Sequence, residues 1–148
     1  MYKRQELHSA LDLTGAAVVI GSCFNEIMHG SQTALTLSRW QSAGKFAIPL
    51  ELMIDARSVF DSVCAEIIKT PADRALLIHA KALREYLESK QLKGLRWIDT
   101  RDMVSDALNK GSVDRIAIVK FFTSGVWDTK FESKYFEPRT KTNRTKSA

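Results

Sequence analysis

Leu95-Arg96-Trp97-Ile98-Asp99-Thr100-Arg101-Asp102-Met103-Val104-Ser105-Asp106-Ala107-Leu108-Asn109-Lys110-Gly111 changes character halfway, and that change sets the fold class. Gly94 to Asp99 reads as a short strand around Leu95, Trp97 and Ile98. Thr100 is placed to cap a helix over Arg101 to Asn109, and Gly111 stops it. Upstream, Thr70-Pro71-Ala72-Asp73 is a helix start: Thr70 caps, Pro71 suits the first helical position and Asp73 reaches back. That helix runs to about Lys90, with Leu76, Leu83 and Leu87 on its buried face and Arg84, Glu85 and Glu88 on its wet one.

Further out, Ile48, Leu50, Leu52 and Ile54 alternate as a strand that ends at Asp55, and a helix over Ser58 to Ile68 buries Val59, Val63 and Ile67. Arg4 to about Met28 reads as one long helix, with Leu7, Ala10, Leu11, Ala17, Val18, Phe24 and Ile27 near helical spacing and His29-Gly30 as its stop. Ser31 to Lys45 is polar, with a short helical piece around Leu35, Leu37 and Trp40. Downstream, Ser112 is placed to cap a last helix through Phe122, and Val126 to Phe136 reads as an edge strand or a loop. The alternation of strands and helices predicts an α/β domain.

At 148 residues, with 45% apolar and 26% charged side chains, the chain can bury one core. The net charge of +5 gathers at the end, where Lys130, Lys134, Arg139, Lys141, Arg144 and Lys146 outnumber Glu132 and Glu137. A basic end of this kind is either a solvated terminus or a contact for phosphate backbones. Cys23 and Cys64 have no metal-spaced neighbours and are expected as buried core thiols rather than a zinc site or a disulfide. The longest apolar run, Ala16 to Ile20, is far below the roughly 20 residues that span a bilayer. The expectation is a soluble, intracellular protein, cytoplasmic or nuclear, with no membrane partner.

Three carboxylates have notable positions: Glu6 early in the first helix, Asp55 at a strand end and Asp106 in the helix after the second strand. Each has an ordinary reading. Glu6 can be a solvated residue that complements the helix dipole, Asp55 a cap for the next helix, and Asp106 part of an exposed face.

Gln5-Glu6-Leu7-His8-Ser9-Ala10-Leu11 resembles the glutamate helix of reverse-transcriptase-linked ribonuclease H domains. Ile54-Asp55-Ala56-Arg57-Ser58-Val59-Phe60-Asp61 resembles the turn after their fourth strand. The segment from Leu95 to Gly111 is similar to the copia-type pattern of an apolar strand, a Thr, a short acidic turn and Ala-Asp-x-Leu-Thr-Lys, with Ser105 and Asn109 as departures. The resemblance covers Glu6 to about Phe122. It implies a ribonuclease H-like domain of a copia-type retrotransposon polyprotein, over residues 1–122, followed by a basic tail over 123–148 with a candidate edge strand.

The resemblance also implies that Glu6, Asp55 and Asp106 are catalytic carboxylates and ligands of Mg²⁺, with Mn²⁺ as substitute. In the family two such ions, about 4 Å apart, serve the hydrolysis of RNA in RNA–DNA hybrids. The family opens with strands one to three, the first carrying a leading Asp, and no such strands stand ahead of Glu6. The expected fold is therefore ribonuclease H-like without the first strands of its mixed sheet, and weak or inactive as a nuclease. The partners implied are an RNA–DNA hybrid or other nucleic acid, and the rest of a retroelement polyprotein. The competing reading is a non-catalytic module that binds nucleic acid or protein. Trp40, Trp97 and Trp127 are expected to pack, His79 to be a surface or core residue rather than a general base, and Arg57 and Arg101 to contact phosphate or pair with a carboxylate.

Overall fold

The computed structural model describes residues 2–43, 46–66, 74–112 and 114–138. Six α-helices and three strands follow one another among these residues: α1 (Tyr2–His29), α2 (Ala34–Ala43), β1 (Glu51–Ile54), α3 (Arg57–Cys64), α4 (Arg74–Glu88), β2 (Gly94–Ile98), α5 (Asp106–Asn109), α6 (Ile116–Ser124) and β3 (Ser133–Phe136). A 3₁₀ turn at Thr100–Asp102 lies between β2 and α5. The helix start expected at Thr70 to Asp73, the end of the helix expected to reach Ile68, the packing of Trp40 and the tail from Arg139 onward lie outside the described residues.

β2 is the middle strand, paired in parallel with β1 and antiparallel with β3. The protein is thus a mixed α/β fold on a three-stranded mixed sheet. Leu52 stands opposite Leu95 and Ile54 opposite Trp97, so the period of two puts these four on one face. That face meets Leu7 and Ala10 of α1, Val59, Phe60 and Val63 of α3, and Ala80, Leu83 and Leu87 of α4 in one buried cluster. The opposite face is largely polar. Glu51 pairs with Arg96 at 3.5 Å, and the Arg96 guanidinium lies 4.9 Å from the Tyr135 ring centre. Tyr135 also covers Gly94, where a Cβ would collide with the ring, so that position takes no side chain.

α1 ends where expected, with Gly30 at φ +81° in the left-handed region glycine tolerates. Its buried stripe differs from the expected one: Leu7, Ala10, Thr14, Val18, Gly21 and Asn25 face inward, while Phe24 and Ile27 are exposed. The Thr14 hydroxyl is satisfied by donating to the Ala10 carbonyl, and the Asn25 carbonyl oxygen accepts from the Ala47 amide. Phe24 and Ile27 turn outward, and Thr14 and Asn25 are enclosed beside Leu7, Ala10 and Val18, with the Asn25 Nδ2 left without a hydrogen-bond partner. Over Arg4–His29 this helix is long and apolar enough to cross a membrane, with 28% of that window buried.

Three further expectations are corrected. Cys23 is exposed, because it lies on the uncovered side of α1; Cys64 is half-buried, and burial pushes its thiol up to about 12. Only a thiolate attacks an alkylating reagent. Iodoacetamide at pH 8 is therefore expected to modify Cys23 at least ~100-fold faster than Cys64 in the folded protein, with the two rates converging in urea; mass spectrometry of the modified peptides reads the ratio, and equal folded-state rates would contradict the burial of Cys64. Arg84 was expected in water but is turned inward. Its Nη1 donates to the Val63 and Ala65 carbonyls at 2.6 and 3.1 Å, placing a cation at the C-terminal end of α3. The last helix begins at Ile116 rather than at Ser112, and the Asp114 carboxylate accepts from the Ile116 amide at 2.9 Å.

Candidate functional site

Asp55 follows the last residue of β1, and its carbonyl accepts from Trp97 Nε1 at 2.8 Å. This bond fixes the end of β1 against β2. Asp55 does not cap the next helix, since Ala56 holds that position and no side chain bonds there. Its carboxylate is free to face the cavity of about 320 Å³ that lies between α1 and β1. Glu6, one turn into α1, lines the same cavity, together with Ser9, Leu13, Leu52 and Met103. Two of the three sequence candidates therefore line one cavity.

The third is placed beside them rather than among them. The helix expected over Arg101 to Asn109 is broken in two. Asp99, not Thr100, caps the first piece by accepting from the Arg101 amide at 3.0 Å, and the Arg101 guanidinium grips the same carboxylate at 2.8 and 2.9 Å. These bonds hold the Asp99 carboxyl at about 2, below the usual range, so Asp99 favours the native state at neutral pH and this contribution fades as pH falls through about 2. After the break, Asp106 opens α5 and receives Lys110 Nζ at 2.6 Å, one helical turn on. The Asp106 contact raises the Lys110 ammonium above its ordinary range, and the Asp55 charge adds to the effect. Lys110 thus lies in the field of both aspartates and supplies the positive charge that offsets them.

Among the described residues no group of three His, Cys, Asp or Glu side chains is arranged to hold a metal ion. A two-ion site does not fit this geometry, because Lys110 engages Asp106 and the remaining lining of the Glu6–Asp55 cavity is mainly apolar. A single hydrated Mg²⁺ takes one or two carboxylates beside its waters.

Asp106 and Lys110 also line a second cavity, of about 610 Å³, with Arg101, Lys120, Trp127 and Lys130. Lys120 pairs with Asp128 at 2.7 Å and keeps that carboxyl below its ordinary range. Arg57 and Arg101 both resolve as carboxylate partners: Arg57 lies 4.0 Å from Asp61 and 3.9 Å from Glu132, and Arg101 grips Asp99. The Arg57 guanidinium rests over Trp97 and that of Arg101 over Phe131. His79 meets His8 edge-on, with ring centres 5.4 Å apart.

Two residues with large structural roles were absent from the sequence candidates. Lys110 was recoverable from its spacing, since an Asp four residues before a Lys on a helix forms a pair. Asp102, inside the stretch expected as a helix over Arg101 to Asn109, is 9% exposed, and it accepts from the Lys130 and Phe131 amides, which no local pattern announces.

Fold and site together define a mixed α/β protein with a three-stranded sheet and an acidic cavity at the end of its first strand. Comparison with family models, with curated proteins and with solved structures finds no match in any of the three.

Proposed function

We propose that the chain is a ribonuclease H-like domain of copia-type retrotransposon origin, whose ancestral task was hydrolysing RNA in RNA–DNA hybrids and whose own cleavage is weak or absent. The observation that carries this reading is the meeting of Glu6 and Asp55 in one cavity at the C-terminal end of β1, with Asp106 following the adjacent parallel strand. Under this reading Glu6 and Asp55 hold one hydrated Mg²⁺, or Mn²⁺, loosely, while Asp106 stays with Lys110. Such an ion supplies charge neutralisation for a phosphate. The protein works inside the cell on nucleic acid, without a membrane.

Mn²⁺ titration followed by nuclear magnetic resonance tests this directly. The amides of Ser9 and Ala56 are expected to broaden at metal concentrations on the order of millimolar, as for a site of two carboxylates, and Asp55→Asn is expected to abolish the effect. A hybrid oligonucleotide is expected to bind, with any cleavage lost in Asp55→Asn. Broadening elsewhere, or no preference for the hybrid over duplex DNA, would overturn the reading.

The second cavity favours the non-catalytic alternative through Lys130 and Trp127, which line it with Arg101, Lys110 and Lys120, each of these three paired with an aspartate. Lys120→Glu is then expected to weaken oligonucleotide binding about 10-fold at low salt, with Asp55→Asn neutral. The deletion that isolates the basic tail starts at Arg139, because β3 lies upstream of it.

A further inference from the structure

His8 and His79 belong to different helices, yet their rings meet with 5.4 Å between centres and their planes 87° apart. The helices beneath them are fixed to each other. Leu7 and Ala10 on α1 and Ala80 and Leu83 on α4 are enclosed in one cluster, so the backbone beside each histidine is anchored. Asp12, one turn beyond His8, holds a carboxylate oxygen 3.6 Å from His8 Nε2. This group is separate from the Glu6–Asp55 cavity. His8 follows Glu6 by two residues, which is about 200° around a helix, and neither histidine lines that cavity.

We propose that His8 and His79 chelate one divalent transition ion, Zn²⁺, with water completing its shell, and that the ion clamps α1 to α4. Two imidazoles on one tetrahedral zinc, with each nitrogen ~2.0–2.1 Å from the metal, have ring centres about 5.2 Å apart. The observed 5.4 Å matches that separation with both helices where they stand. Ring rotation about χ2, a broad torsion, aims one nitrogen of each ring at the ion. Donor type selects the metal, since imidazole suits Zn²⁺, Cu²⁺ and Ni²⁺, whereas Mg²⁺ takes carboxylate and water. Asp12 is not counted as a ligand, in keeping with the absence of any three-donor group among the described residues. Its negative charge beside His8 offsets that of the ion. The His8 side chain is 63% exposed, which gives the ion its entry path.

Calorimetric titration of the full chain carrying Cys23→Ser with zinc chloride is expected to give a dissociation constant on the order of 10 µM, because the fold holds two ligands at high effective concentration. Cys23 is replaced because its exposed thiol takes zinc by itself. With zinc at roughly 100 times that constant, the melting temperature is expected to rise by about 5 °C, since the chelate exists only while α1 packs on α4. His8→Gln and His79→Gln are each expected to weaken binding at least ~10-fold and to remove the thermal shift, and Asp12→Asn to weaken binding about 3-fold. Asp55→Asn and magnesium chloride at about 10 mM are expected to leave both readings unchanged. His79 is half-buried, so the chain with all three histidines provides a check that needs no substitution there. In it, nuclear magnetic resonance is expected to show the ring protons of His8 and His79 shifting in step with zinc while those of His29 stay. No thermal shift, movement of one ring without the other, or an effect abolished by Asp55→Asn overturns the proposal, the last assigning the ion to the cavity at the end of β1.

Discussion

Asp102→Ala is expected to lower the unfolding free energy by about 3 kcal/mol. The Asp102 side chain is almost fully enclosed, and its Oδ2 accepts from the Lys130 amide at 3.0 Å and the Phe131 amide at 2.8 Å. Its backbone carbonyl takes Trp127 Nε1 at 3.1 Å. One residue therefore ties the segment between α6 and β3 to the end of β2, and β3 can pair with β2 only if that segment is held. Removing the carboxylate strands two partly buried donors, each of which had a charged acceptor worth ~1.5–3 kcal/mol. Asp102→Asn retains an acceptor oxygen without the charge, and its loss should be roughly half as large. Urea unfolding at constant m-value gives both numbers, and Trp127 fluorescence should report local loosening in the alanine variant before global unfolding. A loss under 1 kcal/mol for Asp102→Ala would mean that β3 holds its own place.

The same residue shows why the sequence reading stopped short. The strand at Gly94–Ile98, the turn at Asp55, the inward leucines Leu83 and Leu87 and the long α1 rest on local periodicity, and they fall where the pattern put them. The helix expected over Arg101 to Asn109 failed because Asp102 is claimed by amides 28 and 29 residues away. Arg84 was assigned to water by its charge, yet the open carbonyls at the end of α3 and the Phe136 ring take it inward. The candidate site divides in the same manner. Glu6 and Asp55 line one cavity because α1 packs beside β1, a long-range neighbourhood that resemblance, and not periodicity, suggested. Asp106 was placed by resemblance, which is blind to Lys110, and the i,i+4 pair decides what its carboxylate touches.

Trp97→Ala is expected to cost about 4 kcal/mol, the largest loss from any single side chain proposed here. Trp97 is 7% exposed in the middle strand, packs in the main cluster, and lies under the Arg57 guanidinium at 5.0 Å. Truncation removes an indole that the core cannot collapse to replace. The ring has a second duty, because its Nε1 holds the Asp55 carbonyl and so fixes where β1 ends and α3 begins. Trp97→Phe separates the two. It keeps most of the apolar volume and the surface under Arg57 but deletes the donor, so the stability loss should fall to about 1.5 kcal/mol. The turn at Asp55 and Ala56 should loosen far more than that figure suggests. Hydrogen exchange at Val59 and Phe60, whose amides donate to the Ala56 carbonyl, measures that loosening. If Trp97→Phe leaves this exchange unchanged while Trp97→Ala accelerates it, packing alone positions Asp55. If both accelerate it, the indole is a positioning residue for the cavity, and the Mn²⁺-induced broadening at Ser9 and Ala56 should weaken in step.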